Sequence, residues 1–334
     1  MIDCSASIED WNLAEPFEIA GTTYDSQRVV LVTLTDRAGN RGRGEAAGVD
    51  YDGETPEGML QQIRGVAERL AERGPAGAAG FSGELLMTLL PKGGARNALD
   101  CALWDLRAKQ AGVPVWQLAG KTPPQRLQTA VTIGLCDEAT LRRRVRALRT
   151  WPLLKLKADT DRHLDVVRIA HEEHPEARLI VDANQAWNRP LLERLLPRLA
   201  ALRVELVEQP LPQGQDAALD GLATPIPLAA DESCRDRLSL AALVGRYQYV
   251  NLKLDKCGGL TEALAMVREA RRLSLGLMVG NMCGSSLAMA PAFLVGQHCR
   301  YVDLDGPLLQ RRDREHPLRY DKGWVMPPDR ALWG

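Results

Sequence analysis

From about residue 127 to residue 305 the chain alternates short apolar runs with longer amphipathic stretches, and most of the runs end in a charged side chain. The runs ending in charge occupy residues 153–157, 179–182, 204–208, 226–231, 249–256 and 301–305. Their charged ends recur at intervals of about 25 residues, the length of one strand plus a returning helix in a parallel α/β barrel. Two further apolar runs, at 129–134 and 276–280, bring the predicted strands to eight. In such a barrel the C-terminal strand ends share one face, and that face carries the chemistry. The pattern therefore predicts that acids and lysines separated by whole βα units meet at one rim.

Ahead of the barrel the period changes. Residues 28–35 are β-branched and apolar, break at a polar turn (36–40) and resume at 42–46, which predicts an antiparallel meander preceded by a strand within 10–20. Residues 21–26 and 48–54 are expected to be surface loops. Thr55 and Pro56 open a helix running to about residue 73, with Met59, Ile63, Val66 and Leu70 at helical spacing. A shorter helix follows at 81–90. A third, at 95–111, carries Leu99, Leu103 and Leu106 on one face and stops at Gly112 and Pro114. In the barrel region, the helix at 138–150 carries Arg142, Arg143, Arg144 and Arg146, read as a solvated face. After residue 305 the chain turns polar, is punctuated by Pro307, Pro317, Pro327 and Pro328, and shows no further βα unit. This predicts an α/β chain with an α+β unit over 1–118, a barrel over 119–310, and a tail (311–334) packed back on the first unit.

Composition narrows the class without naming a function. The 334 residues are 45% hydrophobic, enough for a barrel of about 250 residues and a smaller unit. Lys plus Arg number 42 and Asp plus Glu 43, a formal net charge of -1, so nothing points to a nucleic-acid or membrane surface. Seven cysteines, scattered from Cys4 to Cys299 without a CxxC or a Cys/His cluster, argue for reduced thiols in a cytoplasmic protein. The N-terminus lacks a signal-peptide pattern, no apolar run spans a bilayer, and a homo-oligomer is compatible with the chain.

Asp182, Glu208 and Asp231 are the first candidate constellation. A lone acid at a strand end more often caps the next helix, but three, each one βα unit from the next, suit a hard divalent cation such as Mg²⁺. Lys155 and Lys157 lie two apart on one strand and so project to the same face. Neighbouring ammonium groups beside a cation are expected to lower one lysine pKa toward that of a base. Lys253 and Lys256 are the candidates on the sixth strand, and periodicity does not choose between them. Asp303 and Asp305 share a face on the last strand; paired carboxylates repel and call for a cation, whether metal, arginine or substrate ammonium.

These residues resemble the enolase superfamily, specifically its muconate-lactonizing-enzyme subgroup, and most closely its dipeptide epimerases. The similarity runs from the Val29-Val30 strand through 95–100 to the last strand, with Lys155-Leu156-Lys157, Asp182-Ala183-Asn184, Glu208-Gln209-Pro210, 230–233 and 256–259 in order and spacing. The resemblance implies a modified TIM barrel, (β/α)7β-like, under an α+β capping domain, with Mg²⁺ held by Asp182, Glu208 and Asp231. It implies Lys157 and Lys256 as two bases on opposite faces of a substrate Cα, with Lys155 tuning Lys157 or stabilising charge. The reaction implied is 1,1-proton transfer through an enediolate, inverting the C-terminal residue of a dipeptide such as L-Ala-L-Glu.

Asp303 and Asp305 match the pair thought to hold the substrate ammonium. Relatives acting on L-Ala-L-Glu commonly present an arginine from the first loop, where this chain has Tyr24. Asp50, Asp52 and Glu54 lie on the second loop, and an acidic, aromatic mouth suits a cationic or apolar side chain, unless Arg28 or a tail arginine reaches in. Alternatively these acids simply face water. Asn281, after the seventh strand, is a further candidate pocket residue. An o-succinylbenzoate synthase or muconate-cycloisomerase-type enzyme would use the same metal and lysines, but its substrates offer Asp303 and Asp305 no ammonium. A non-catalytic binding domain would have no use for the intact set.

Overall fold

The computed structural model describes residues 2–19, 22–72, 81–158 and 161–334. Strands β1 (Ile2–Ile19), β2 (Thr22–Asp36) and β3 (Arg41–Ala46) form an antiparallel sheet in sequence order. One face of that sheet is apolar because side chains alternate along a strand. Val30, Val32 and Leu34 pack there with Ile63, Leu86 and Leu99 from helices α1 (Pro56–Glu72), α2 (Gly83–Leu89) and α3 (Gly94–Ala111). β3 lies directly on the α3 backbone. A Cβ at Gly42 or Gly44 would overlap the carbonyl oxygen of Ala102 or Ala98, which is why glycines stand there.

The segment 22–26, expected as a loop, is strand. β1 and β2 continue as a hairpin pairing Phe17 with Tyr24, Glu18 with Thr23 and Ile19 with Thr22, after a register slip beyond Asn12. This ribbon buries no continuous apolar face, so the sequence has no alternation to betray it. Residues 20, 21 and 73, which those expectations included, lie outside the described residues.

After a short helix α4 (Val115–Leu118) and strand β4 (Leu127–Gln128), eight parallel strands follow in consecutive order. They are β5 (Val131–Ile133), β6 (Leu153–Lys157), β7 (Arg178–Asp182), β8 (Val204–Glu208), β9 (Leu228–Ala230), β10 (Tyr249–Leu252), β11 (Gly276–Val279) and β12 (Tyr301–Val302). The Ala130 amide donates to the Val302 carbonyl at 2.8 Å, and the Leu304 amide to Thr129 Oγ1 at 2.9 Å, joining the first and last strands. That seam closes the barrel.

Helices α5 (Glu138–Ala147), α6 (His163–Glu173) and α7 (Arg189–Ala201) return after β5, β6 and β7. Past β8 and β9 the spacing is kept, but the connections hold only 3-10 turns, at Asp216–Leu219 and Leu240–Leu243. Pro210, Pro212, Gly214, Gly221, Pro225 and Pro227 stop a helix from forming in the first of these. Regular helices resume with α8 (Leu254–Cys257), α9 (Leu260–Arg272) and α10 (Ser286–Gly296). The run predicted as strand to residue 256 thus ends at Leu252, and Lys256 sits in the helical turn α8.

Inside the ring, side chains form two layers. Ala130, Leu153, Ile180, Leu206, Ala229, Met278 and Tyr301 make an apolar plug. Two residues further along their strands stand Thr132, Lys155, Asp182, Glu208, Asp231, Gly280 and Asp303, so strand period alone puts the charges one layer higher.

The tail touches both parts of the molecule. Its strands β13 (Tyr320–Asp321) and β14 (Trp324–Val325) pair with each other, and β14 pairs with β4, while Trp333 Nε1 donates to the Cys101 carbonyl at 3.0 Å and the Gly334 amide to Asp105 at 2.6 Å. The expected packing on the first unit is half of the arrangement. All seven cysteines are free. No helix among the described residues is long and apolar enough to cross a membrane.

Replacing Gly44 with Val is expected to destabilise the protein by about 3 kcal/mol, because the α3 backbone has no room to yield. Urea unfolding measures this, and an unchanged midpoint would show that β3 stands off the helix.

Candidate active site at the barrel mouth

β6 carries Lys155 and Lys157 inward, while Leu154 and Leu156 face the helices. Lys155, at 2% exposure, places its Nζ 2.9 Å from Asp182 Oδ2, 2.8 Å from Glu208 Oε2 and 2.9 Å from Asp303 Oδ2. Lys157 Nζ stands 2.8 Å from the same Asp182 oxygen. Across the ring, Lys253 Nζ lies 2.7 Å from Asp231 Oδ2 and Lys256 Nζ 2.5 Å from Asp231 Oδ1. Lys256 also donates to the carbonyls of Asp231 and Asn251, and Asn251 Nδ2 donates to Glu208 Oε1 at 2.7 Å. The five acids and four lysines expected at the strand ends, Asp182, Glu208, Asp231, Asp303, Asp305, Lys155, Lys157, Lys253 and Lys256, are all buried.

The acids outweigh the ammonium groups. Burial disfavours a charged Lys155, but Asp182, Asp303 and Glu208 more than reverse this and raise its pKa well above the usual value. In this arrangement the acids around Lys155, rather than its lysine neighbour, dominate and hold it as a cation. Lys253 is likewise raised, by Asp231 against burial. Glu208 is pushed up to about 7 by burial and by Asp182 and Asp231.

Three carboxylates were expected to meet at one point. Among the described residues no three acid, histidine or cysteine side chains stand as a ready-made metal cage. The reason is electrostatic: buried carboxylates repel, and lysine ammonium groups lie between them. The donor set nonetheless fits a hard cation. It is all oxygen, it comes from adjacent strands β7, β8 and the end of β9, and Glu208 Oε2 accepts no hydrogen bond although Lys155 Nζ is near.

The acids of the last strand are partly engaged. Asp303 Oδ1 accepts from Thr132 Oγ1 at 3.4 Å besides its contact with Lys155, and Asp305 Oδ2 accepts the Thr132 amide at 2.6 Å. Burial, then Asp303, pushes the Asp305 carboxyl up to about 7. Asn281 Nδ2 donates to the Asp303 carbonyl at 2.7 Å.

At the rim the two N-terminal segments meet. Tyr24 donates to Asp50 Oδ2 at 2.8 Å, tying the hairpin to the 48–54 loop. The acids of that loop do not simply face water. Asp52 pairs with Arg235, and Glu54 accepts the amides of Val49 and Gly94 at 2.8 and 3.0 Å. Arg28 binds Glu57 and Asp10, and Arg314 binds Glu45 and Glu9, so neither provides an unpaired charge for a substrate. Nor is the helix 138–147 a purely solvated face: Arg142 and Arg146 clamp Glu173, and Arg144 pairs with Glu15 of the hairpin at 2.6 Å.

Sequence reasoning missed the groups that hold the Lys256 turn. Arg96 of α3 donates to the carbonyls of Cys257 (2.5 Å) and Gly258 (3.2 Å). Asp100 accepts from Thr261, and Asp255 Oδ1 accepts the amides of Ala47 and Gly48, both at 3.0 Å. Their signal was present: an arginine and two aspartates in apolar surroundings need partners.

A parallel barrel with an α+β cap and a buried ring of acids and lysines at its mouth defines an enolase-like protein. A family profile described as Enolase C-terminal domain-like matches residues 137–331, and one described as Mandelate racemase / muconate lactonizing enzyme, N-terminal domain matches residues 1–120. The chain belongs to this family, within the enolase superfamily. It is 39% identical over 317 residues, 94% of this chain and 96% of the relative, to the L-Ala-D/L-Glu epimerase of Escherichia coli K12. It is 45% identical over 249 residues, 75% of this chain and 79% of the relative, to the N-acetyl-D-glutamate racemase of a Pseudoalteromonas species. An Agrobacterium tumefaciens enolase family member with homology to dipeptide epimerases, solved with sodium and L-Ala-L-Glu and an ordered loop, superposes with a TM-score of 0.93 at 41% identity, covering 100% of both chains.

Burial pushes the Asp255 carboxyl up to about 7, with the Gly48 amide opposing and Glu54 adding to the rise. Its folded pKa lies above its unfolded one, so this group makes the protein less stable as pH climbs from about 4 to about 7. Asp255→Asn keeps Oδ1 for both amides and removes the titration. The fall in unfolding free energy between pH 5 and 8 is expected to be shallower in the variant, by denaturant unfolding at each pH; parallel curves would refute this.

Proposed function

We propose that this protein is a dipeptide epimerase, inverting the Cα of the C-terminal residue of a dipeptide by two-base proton transfer with Mg²⁺. The observation that carries the reading is the pairing of two lysines with two different acids. Lys157 meets Asp182 on β6 and β7, and Lys256 meets Asp231 beyond β10 and β9. β6 and β10 stand four places apart in the eight-strand order, so the amines approach from opposite walls. Asp182, Glu208 and Asp231 would hold the cation, which supplies Lewis acidity to the substrate carboxylate when bound.

In this reading one lysine, neutral, removes the α-proton, and the other, charged, delivers a proton to the opposite face. Lys155, kept charged by three carboxylates, stabilises negative charge and is not a base. Asp303 and Asp305, with Asn281 fixing the Asp303 backbone, would receive the substrate ammonium. Tyr24 contributes by holding the loop that roofs the mouth. Residues 1–118 would serve as the cap over the barrel of 119–310, with the tail of 311–334 tying the two together, and the free cysteines suit a cytoplasmic setting.

One observation favours a second substrate class. Lys155 already neutralises Asp303, so an N-acylated amino acid would meet no unpaired carboxylate there. The o-succinylbenzoate synthase or muconate-cycloisomerase alternative gives Asp303 and Asp305 no role.

The test is incubation with Mg²⁺ in D₂O of L,L-dipeptides with acidic, basic and apolar C-terminal residues, alongside N-acetyl-L-glutamate. Inversion with deuterium at the C-terminal Cα is expected. Exchange of the N-acetyl compound alone would replace the first reading by the second, and exchange of neither would reject both. Lys157→Ala and Lys256→Ala are each expected to lower inversion about 10²- to 10⁴-fold, with one-sided exchange surviving. Full inversion in both would refute the base assignment. Chelation should abolish exchange and added Mg²⁺ restore it; activity that survives thorough chelation would remove the cation from the mechanism.

A further inference from the structure

The loop after β9 carries Arg235 four residues beyond Asp231, on the rim of the mouth. Its guanidinium faces Asp52 of the cap in a two-pronged pair, with Nη1 2.8 Å from Oδ1 and Nη2 against Oδ2. Both side chains are about three-quarters buried, at 26% and 22% exposure, so the pair is partly desolvated. Such a pair is stronger and more geometrically selective than a loose surface contact.

The loop after β9 leaves the C-terminal end of a barrel strand, the end that forms the mouth, so the pair joins the cap to the rim that carries the candidate constellation. Glu232 is 4% exposed and its Oε2 has no hydrogen-bond partner, so the surroundings are already acidic. The other acids of the loop are engaged: Asp50 by Tyr24 and Glu54 by backbone amides. Arg235 is thus a cation beside the mouth whose charge is cancelled from the cap.

We propose that the Asp52–Arg235 pair is a charge-balanced specificity gate for the side chain of the substrate residue that is inverted. This rests on the dipeptide-epimerase reading. An acidic side chain must displace Asp52 to reach the guanidinium, and a basic one must displace Arg235 to reach the carboxylate. A neutral side chain displaces neither. The unmodified protein therefore favours a neutral C-terminal residue, and each half of the pair, once alone, recruits the opposite charge.

The experiment compares kcat/KM for L-Ala-L-Glu, L-Ala-L-Leu and L-Ala-L-Lys in the unmodified protein, Asp52→Asn and Arg235→Gln, with melting temperatures recorded for all three. Asp52→Asn is expected to raise the Glu-to-Leu ratio about fivefold or more, and Arg235→Gln to raise the Lys-to-Leu ratio by a similar factor. Should Arg235→Gln not fold, Asp52→Asn alone decides, since it keeps the shape of the side chain. Inversion of the panel with unchanged ratios, with shifts of the opposite sign, or with a charged substrate preferred by the unmodified protein overturns the gate and leaves the function standing. No inversion of any dipeptide by the unmodified protein overturns both.

Discussion

The structure depends on placing five carboxyl groups and four lysines in a space that water barely reaches. Such a cluster is tolerable only if every charge has a partner within contact distance, since an unpaired buried ion costs several kcal/mol. The molecule meets this by interleaving: Lys155 touches three acids, and Asp231 receives two ammonium groups. Beneath them the apolar plug centred on Leu153, Ile180 and Leu206 fills the ring and gives the charged layer a dry floor. The same step of two residues along each strand that builds the floor builds the charged layer.

The cap does more than cover. Arg96, Asp100 and Asp255 connect α3 and the end of β3 to the turn holding Lys256, a turn that is not part of the barrel sheet and has no ladder of its own to fix it. Gly259, with φ of 114°, lies so close to Asp100 that a Cβ there would overlap the carboxylate. The amine farthest from regular sheet structure is therefore the one most tightly held by the other part of the chain. Its neighbour loops at 48–54 and 231–235 meet across the mouth through Asp52 and Arg235.

Much of this was legible in the chain. Short apolar runs ending in charge gave the order of the strands, and the alternation in 153–157 put two lysines on one face. What failed did so for identifiable reasons. The 22–26 arm of the hairpin has both faces polar, so nothing in its pattern distinguishes strand from loop. Even spacing predicts a helix after every strand, whereas prolines after Glu208 leave only a 3-10 turn. The charge of Lys155 has no local signature, because the acids that dominate it come from strands far along the chain. Pairings such as Arg235 with Asp52 span 183 residues and leave no local trace.

The seam of the barrel has a consequence of its own. β12 is two residues long, and the ring is joined there by the Ala130–Val302 contact, by Thr129 to Leu304, and by Asp305 accepting the Thr132 amide. From below, Thr129 donates to the Gly323 carbonyl and the Tyr320 hydroxyl donates to the Leu304 carbonyl at 2.6 Å, so the tail acts as a staple across the join. Its upper fastening is the same acid pair that faces the mouth. One short strand end therefore carries both the closure of the cylinder, through Asp305 and Thr132, and part of its buried charge, through Asp303 and Lys155.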